Sequence, residues 1–244
     1  MKTHLKAVFF DVGGTILRVQ PSVGHIYAET VAQQGFDVTP EEVNARFRGA
    51  WKRSLQRRRE DDYVCTDEIL RQEWATVVVD TFDGLIPREG ALEAFEVLFD
   101  RFCNADAWAL APAAEETFRE LSDHVPLGIL SNWDSRLERT LEAIGVLDFF
   151  AHRVVSYRVG HEKPHVRMFE EAILQAGVSP EHILHVGDSR EWDVQPAREL
   201  GMHVIWVRGD ATLPDLGEGD EPGAIAVNRF DEVLPAIRAN FTFA

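Results

Sequence analysis

The sequence is poor in three features, and each shortage excludes a class of protein. It has two cysteines, Cys65 and Cys103, in 244 residues, too few for a disulfide framework. No apolar stretch approaches the roughly 20 residues of a membrane-spanning helix. The first residues, MKTHLKAVFFDV, hold too short an apolar run for a secretory signal. These absences make a cytoplasmic protein the expectation.

Lysine is also scarce and occurs only at Lys2, Lys6, Lys52 and Lys163. The chain has 25 basic and 41 acidic residues, which gives a net charge of −16. A surface this negative repels the phosphates of nucleic acids and of anionic membranes. We therefore expect neither nucleic acid nor a membrane as a partner.

Short apolar segments rich in β-branched residues alternate with helical segments in the second half of the chain. The predicted strands are AVFFD (7–11), PLGILSN (126–132), RVVSY (153–157), HILHVGDS (182–189) and HVIWVRG (203–209). Runs that are apolar throughout are typical of parallel strands covered on both faces. The pattern predicts a doubly wound, Rossmann-like parallel α/β sheet. Residues 209–227, rich in glycine, proline and acids, are predicted to form a surface loop.

Residues 18–110 interrupt this alternation and hold no convincing strand. Thr39, Pro40 and Glu42 fit a helix N-cap, a first-turn proline and a capping box. Apolar residues then recur every four positions over residues 43–55, which indicates one apolar helix face. The interruption is therefore predicted to be all-helical.

The helical insertion leaves the chain directly after the first predicted strand. The sequence thus divides into an α/β core of residues 1–17 and 111–244 and an inserted helical domain of residues 18–110. Open α/β sheets bind ligands at the carboxyl ends of their strands, and the insertion starts from that edge. We expect the helical domain to act as a cap over it.

Polar side chains follow four of the predicted strands. They are Asp11 and Thr15, Ser131 and Asn132, Lys163, and Asp188 and Asp193. In a parallel sheet these strand ends face one crevice. Three carboxylates in one crevice repel one another unless cations lie between them. Lys163 is one such cation, and Mg2+, a hard ion that prefers oxygen ligands, is the natural second.

The four segments that carry these residues resemble, in order, the four motifs of the haloacid dehalogenase (HAD) superfamily. They read FFDVGGT, ILSNWD, GHEKPHVRMFEEA and HVGDSREWDV. The helical insertion between the first two resembles that of members with a type-one cap. The segments SNWDSRL and GDSxxxD are similar to those of the rhythmically-expressed-gene-like branch. The resemblance spans roughly residues 5–210 and implies a Mg2+-dependent hydrolase, most simply a phosphatase, with a small phosphorylated or otherwise anionic substrate.

The resemblance also implies a role for each polar residue. Asp11 would be the catalytic nucleophile and form an aspartyl-phosphate. Ser131 and Asn132 would donate hydrogen bonds to the phosphoryl oxygens. Lys163 would be catalytic and phosphate-binding, because its charge offsets the charges of Asp11 and of the phosphoryl group.

The metal ligands implied by the resemblance are Asp11, the backbone carbonyl of Gly13, and Asp188. Asp193 would support them through water or through Lys163. The chain departs from the family pattern at Gly13, where HAD phosphatases usually carry a second aspartate that protonates the leaving group and later activates water. Glycine keeps the carbonyl but lacks that acid–base group, whose help is typically worth about 10²–10⁴-fold.

Three functions follow from this departure. The first is a phosphatase with slow turnover, suited to good leaving groups or aided by a proton from the cap or the substrate. The second is another HAD reaction: phosphonate cleavage with Lys52 as an activating lysine, or dehalogenation, against which the acidic pair Asp188 and Asp193 argues. The third is a non-catalytic or weakly catalytic phosphate-binding protein, against which the retention of Asp11 and Lys163 argues.

The helical segment WKRSLQRRRE (51–60) is basic in an acidic protein. It is interpreted as the solvated side of an amphipathic helix. The alternative is that Arg48, Lys52 or Arg59 reaches the crevice and holds an anionic substrate group. Trp133, which follows Asn132, is predicted either to line the pocket or to pack in the core.

Overall fold

The structure is a computed structural model that describes residues 2–58, 63–209 and 221–243. It divides into two compact units. The α/β unit comprises Met1–Arg18, Leu110–Trp133 and Gly145–Ala244. The helical unit comprises Val19–Ala109 and Asp134–Ile144. Residues 134–144 belong to the helical unit in this division. The predicted domain bounds, 1–17 and 111–244 for the core and 18–110 for the insertion, stay a prediction.

The described residues contain ten strands and ten α-helices. The strands are β1 (Thr3–His4), β2 (Ala7–Phe10), β3 (Leu17–Val19), β4 (Trp108–Leu110), β5 (Leu127–Ser131), β6 (Phe150–Val155), β7 (Ile183–Gly187), β8 (His203–Val207), β9 (Ile225–Val227) and β10 (Phe241–Thr242). The helices are α1 (Val23–Ala32), α2 (Pro40–Arg57), α3 (Asp67–Phe82), α4 (Arg88–Arg101), α5 (Ala114–Ser122), α6 (Arg136–Ile144), α7 (Ser156–Val159), α8 (Val166–Ala176), α9 (Gln195–Glu199) and α10 (Val233–Asn240). In the part of the chain that the structure describes, no helix has both the length and the apolar character needed to cross a membrane.

Six of the described strands form one sheet in the order β6-β5-β2-β7-β8-β9, and every neighbouring pair in it is parallel. Strand β2 comes first in the chain yet lies between β5 and β7. The strand order therefore reverses at β2, and the crevice expected of a doubly wound sheet opens at its carboxyl end. The predicted fold class is confirmed.

Both faces of this sheet are covered, which explains the unbroken apolar strands. Side chains alternate along β2. Phe9 packs in a cluster with Met168 and Phe169 of α8. Phe10 points to the other face, where its ring lies 5.2 Å from the ring of Phe118 in α5. Asp11, the next residue, is thereby held between two packed layers.

The helical unit has its own apolar core. The predicted capping box at the start of α2 is confirmed, since Thr39 accepts a hydrogen bond from the Glu42 N–H and the Glu42 carboxylate accepts one from the Thr39 N–H. Inside the unit, the ring of Tyr27 stacks on Phe82 with centroids 5.7 Å apart. Apolar residues of α1, α3 and α4 surround this pair.

The structure differs from the predicted elements in three places. Strand β6 ends at Val155, and Ser156–Val159 form a helical turn, so the predicted strand 153–157 is shifted. The predicted loop is wrong for Ile225–Val227, which pair with β8 as β9; residues 210–220 of that loop lie outside the described residues. Strands β3 and β4 pair with each other at the borders of the predicted all-helical segment. Strands of three residues are too short to show a period.

Candidate active site

The candidate site starts where β2 ends. The backbone N–H of Asp11 donates to the carbonyl of Val186 in β7 at 2.9 Å, so the strand pairing continues to this residue. The Asp11 side chain is buried, and its Oδ1 accepts hydrogen bonds from the Ser131 hydroxyl at 3.0 Å and from Lys163 Nζ at 2.7 Å. These contacts hold the carboxylate in one orientation at the carboxyl edge of the sheet.

The loop after Asp11 turns back tightly. Gly14 has a φ of +89°, and its N–H donates to the carbonyl of Leu17 at 2.9 Å. This turn buries Thr15, whose hydroxyl lies 3.3 Å from Asp11 Oδ2 and 3.2 Å from Asp188 Oδ1. A hydroxyl has one hydrogen, so Thr15 lies between two carboxylates and donates to one at a time.

Asn132, directly after β5, holds the main chain of Lys163. Its Nδ2 donates to the Lys163 carbonyl at 2.9 Å, and its Oδ1 accepts from the Lys163 N–H at 2.6 Å. The amide has two hydrogens on Nδ2, and this contact uses one of them. Besides its predicted role toward phosphate, Asn132 therefore positions the main chain of Lys163.

Lys163 connects two of the carboxylates. Its side chain is 3% exposed, and Nζ bonds Asp11 and Asp193. Burial alone would lower the pKa of Lys163, but the adjacent carboxylates of Asp11 and Asp193 outweigh burial and raise the pKa above its usual value. The lysine is therefore a fixed positive charge.

Asp188 and Asp193 follow β7. Asp188 comes directly after the strand, and Asp193 lies in a π-helical turn, Arg190–Val194. The Ser189 N–H donates to Asp193 Oδ2 at 3.1 Å, which turns this carboxylate back toward the strand. Single π-helical turns are rare in proteins overall, but those that occur often lie at functional sites.

Oxygens of Asp11, Asp188 and Asp193 lie within 4.8 Å of one another, and all three residues are buried. Burial raises the pKa values of Asp11 and Asp188 above the usual aspartate range, and neighbouring negative charges add to the increase. Burial also acts upward on Asp193, but Lys163 and His185 outweigh it, and the pKa of Asp193 lies below its usual value. Lys163 thus pairs with Asp193 and Asp11. Among the described residues, Asp188 is the one of the three carboxylates that forms no ion pair.

This donor set fits a hard divalent cation. Asp188 contacts the Thr15 hydroxyl and faces Asp11, and both carboxylates have raised pKa values. Carboxylate oxygens are ligands that Mg2+ prefers, and a bound cation removes the repulsion between them. The buried triad is therefore suited to Mg2+.

The sequence also singled out Arg48, Lys52, Arg59 and Trp133. Arg48 and Lys52 occupy exposed positions on α2 in the helical unit, and Arg59 lies outside the described residues. Trp133 is half-buried, and its N–H donates to the hydroxyl of Ser156 at 3.0 Å. A Cβ atom on Gly13 would lie 3.5 Å from Cζ3 of the Trp133 ring, so this ring borders the loop after Asp11.

Sequence reasoning missed His185. Its Nε2 lies 2.9 Å from Asp193 Oδ1, and the residue is fully buried in β7. The signal was present as a polar residue inside the apolar strand ILHVG (183–187). Buried polar side chains nearly always have a partner, so such a residue indicates a contact that the sequence does not identify.

Fold and site together define a class: a doubly wound α/β protein with a buried aspartate, a lysine paired to it and an acidic cluster suited to a cation at the switch point of the sheet. A sequence model of the haloacid dehalogenase-like hydrolase family matches residues 5–201. The chain belongs to this family.

Named relatives resemble the chain over most of its length. Haloacid dehalogenase-like hydrolase domain-containing protein 3 of Homo sapiens is 29% identical over 240 residues, 97% of this chain and 95% of that protein. The protein of the same name in Xenopus laevis is 32% identical over 202 residues, 82% of each chain. The Rhythmically expressed gene 2 protein of Drosophila melanogaster is 25% identical over 218 residues, 84% of each. The predicted family and branch are confirmed.

Solved structures share the fold. A HAD phosphatase from Thermococcus onnurineus has a TM-score of 0.62 and 23% identity, covering 97% of this chain and 99% of that one. The putative HAD-hydrolase YfnB from Bacillus subtilis, bound to magnesium, has a TM-score of 0.71 and 17% identity, covering 96% and 99%. The L-2-haloacid dehalogenase from Xanthobacter autotrophicus has a TM-score of 0.71 and 19% identity, covering 96% and 98%. The fold is therefore common to phosphatases and dehalogenases, and the site residues must decide between them.

Two neighbouring glycines provide a matched pair of variants. A Cβ on Gly14 would lie 2.3 Å from Asp188 Oδ2, and its left-handed backbone costs an L-residue about 1–2 kcal/mol. A Cβ on Gly13 would make an ordinary contact. We expect Gly14→Ala to lower the melting temperature and to weaken stabilisation by Mg2+, whereas Gly13→Ala stays close to wild type. Thermal unfolding with and without Mg2+ measures both, and equal losses in the two variants would contradict the loop geometry.

Stability should depend on pH through Asp11 and Asp188. Their pKa values are raised on folding, so the folded chain binds these protons more tightly than the unfolded chain. Without metal, the free energy of unfolding should therefore fall as the pH rises from the ordinary aspartate pKa through the raised values. Mg2+ competes with these protons, so it should stabilise the fold more at neutral than at acid pH. At a concentration 100 times its Kd, a ligand that binds the folded state alone raises the free energy of unfolding by about 2.7 kcal/mol.

Thermal unfolding across pH, with Mg2+ and with a chelator, measures this dependence. Asp188→Asn should flatten the metal-free slope and reduce the shift produced by Mg2+. Asp123→Asn changes an exposed aspartate of the same unit and should alter neither. A Mg2+ shift that is equal at acid and neutral pH, or that survives Asp188→Asn, would contradict the assignment of these carboxylates to the cation.

Proposed function

We propose that the protein is a Mg2+-dependent phosphatase that hydrolyses small phosphomonoesters through an aspartyl-phosphate on Asp11. The observation that carries this proposal is the Asp11 carboxylate, buried at the switch point and held by Ser131 and Lys163 beside two further acids. A carboxylate held in one orientation is suited to nucleophilic attack. The lysine and a cation together suit an anionic substrate.

Three ligands are proposed for Mg2+: the carboxylates of Asp11 and Asp188 and the backbone carbonyl of Gly13. Asp193 is proposed to support them, since it is bonded to Lys163. When bound, Mg2+ supplies charge neutralisation between an anionic nucleophile and an anionic ester. The retention of Asp188 and Asp193 favours phosphate chemistry over dehalogenation, because a halide displacement needs no cation site.

The reaction then proceeds in two steps. In the first, an Asp11 oxygen forms a bond to phosphorus, the ester P–O bond breaks, and its electron pair leaves on the alcohol oxygen. Lys163 Nζ and the hydrogen-bond donors of Ser131 and Asn132 stabilise the charge on the phosphoryl oxygens. In the second, a water oxygen forms a bond to phosphorus, the bond between phosphorus and the Asp11 oxygen breaks, and inorganic phosphate leaves with Asp11 restored as a carboxylate. The proton that this water loses to solvent balances the one that the alcohol oxygen takes up from solvent.

Gly13 determines which esters react well. It brings no side chain to protonate the departing oxygen or to activate water, and such help is typically worth about 10²–10⁴-fold. Esters whose leaving group is stable as an anion, such as aryl phosphates, should therefore react faster than alkyl esters. The aspartyl-phosphate should also persist, because its hydrolysis lacks a general base at that position.

A substrate screen tests the proposal. The panel contains an aryl phosphate, small phosphorylated metabolites, a phosphonoaldehyde and a 2-haloacid, each with Mg2+ and with a chelator, and the readouts are phosphate and halide release. Mg2+-dependent phosphate release from the esters is expected. Halide release that persists with the chelator would assign dehalogenation. Borohydride inactivation in the presence of the phosphonoaldehyde, abolished by Lys52→Ala, would assign phosphonate cleavage instead.

A further inference from the structure

We infer that His185 is a positioning residue for this reaction, acting through Asp193 on Lys163 and so on the Asp11 nucleophile. The inference rests on the proposed function for its catalytic consequence. His185 does not reach the reacting atoms itself: it is fully buried inside β7, and its polar contact runs to Asp193.

The contact of His185 is directional. Its neighbours in the strand, Leu184 and Val186, are buried and apolar, and a polar ring in that place is costly unless it is hydrogen-bonded. The ring meets Phe169 edge-on, with centroids 6.0 Å apart. Among the described residues, the other ring nitrogen, Nδ1, is buried without a hydrogen-bond partner. One hydrogen bond, from Nε2–H to Asp193 Oδ1, therefore fixes both the ring and its tautomer.

Asp193 is in turn fixed from three directions. Its Oδ1 accepts from His185 and from Lys163, and its Oδ2 accepts from the Ser189 N–H at 3.1 Å. The carboxyl group also lies against the main chain of β7, since a Cβ atom on Gly187 would lie 2.4 Å from Asp193 Cγ. A carboxylate held this way presents a fixed oxygen to the lysine.

Lys163 completes the connection. Its Nζ bonds both Asp193 and Asp11, the latter at 2.7 Å. Without the His185 hydrogen bond, Asp193 Oδ1 keeps Lys163 as its single donor and is free to turn toward it. The lysine then moves away from Asp11, so its positive charge is no longer held beside the nucleophile and the phosphoryl group. The predicted effect is mainly on kcat, because a correctly placed lysine charge stabilises the transition state more than the bound ester.

Three substitutions at His185 test the connection. Gln places its amide N–H close to the position of Nε2 and should retain most of the activity. Asn is shorter and places its amide near Nδ1, and Phe has no donor. Both should lower kcat by about 10- to 100-fold, with KM close to wild type. His152→Phe is the matched control, because His152 lies in the same sheet, stacks on Phe9, and should leave kcat unchanged.

A double-mutant cycle with Asp193→Asn shows whether His185 acts through Asp193. Residues that act through one contact are non-additive, so His185→Phe should cost little further activity in the Asp193→Asn background. The inference would be overturned if His185→Phe lowered kcat by the same factor in the wild-type and Asp193→Asn backgrounds. It would also be overturned if His185→Gln lost as much activity as His185→Phe. If the wild type hydrolyses no phosphate ester, the proposed function fails. The same cycle, measured on the free energy of unfolding, then decides the inference, which falls if the two substitutions are additive.

Discussion

Asp11→Asn should abolish phosphate release from an aryl phosphate, with a loss of roughly 10⁴-fold or more, as expected when a covalent nucleophile is removed. The amide has almost the same size as the carboxylate, so the loop and the sheet should keep their structure. The amide is a poor nucleophile and cannot form the acyl-phosphate. Its oxygen can still accept from Ser131 and Lys163 at the Oδ1 position, with its NH2 at the Oδ2 position beside Thr15.

The variant should also remain folded. Burial raises the pKa of Asp11, so the neutral amide removes a charge that the fold disfavours, and Lys163 keeps Asp193 as a partner. Steady-state kinetics with thermal unfolding separates the two effects, and Asp123→Asn serves as the exposed control in the same unit. Equal phosphate release by wild type and Asp11→Asn would show that the nucleophile is assigned wrongly.

Gly13→Asp should have the largest effect in the opposite direction. It supplies the acid–base group that the chain lacks, and it should raise turnover of alkyl phosphates by about 10²–10⁴-fold. The gain should be smaller for aryl phosphates, whose leaving groups need less protonation. The position has room for the change, because a Cβ there meets only an ordinary contact with Trp133. Gly13 is also not among the residues with positive φ.

Gly13→Asn is the matched control, since it has the same shape and cannot transfer the proton in the same way. Kinetics with an alkyl and an aryl ester, for both variants with Mg2+, measures the selectivity. If Gly13→Asn gains as much turnover as Gly13→Asp, the gain comes from a changed loop shape and not from proton transfer. No gain in an Asp variant that is folded and stabilised by Mg2+ would mean that the proton comes from elsewhere.

The placement of the site could be predicted from the sequence because parallel strands bring their carboxyl ends to one edge. Asp11, Ser131 and Asp188 each end or directly follow an apolar strand, so strand recognition was enough to place them. Lys163 and Asp193 lie further along the chain, after a helical turn and inside a π-helical turn. The strands before them predicted the same edge of the sheet for both, but strand geometry does not fix how close to Asp11 residues this far beyond a strand end lie.

The sequence does not predict which partners the polar side chains in and next to the strands contact. The sequence shows that His185 is polar within a buried strand, but it does not show that its partner is Asp193, eight residues later. Likewise, Asn132 holds the Lys163 main chain, a contact between positions far apart in the sequence. The role of residues 18–110 as a cap over the site stays a prediction.

The central claim is the covalent aspartyl-phosphate, and mass spectrometry after an acid quench tests it most directly. Wild-type protein is mixed with an aryl phosphate and Mg2+, quenched within the first turnovers, digested and analysed for phosphate on the peptide that contains Asp11. Because Gly13 cannot activate water, we predict that the adduct accumulates on this peptide, that Gly13→Asp lowers its amount, and that Asp11→Asn lacks it. Phosphate release without any adduct on Asp11, at the same rate in Asp11→Asn, would contradict the account.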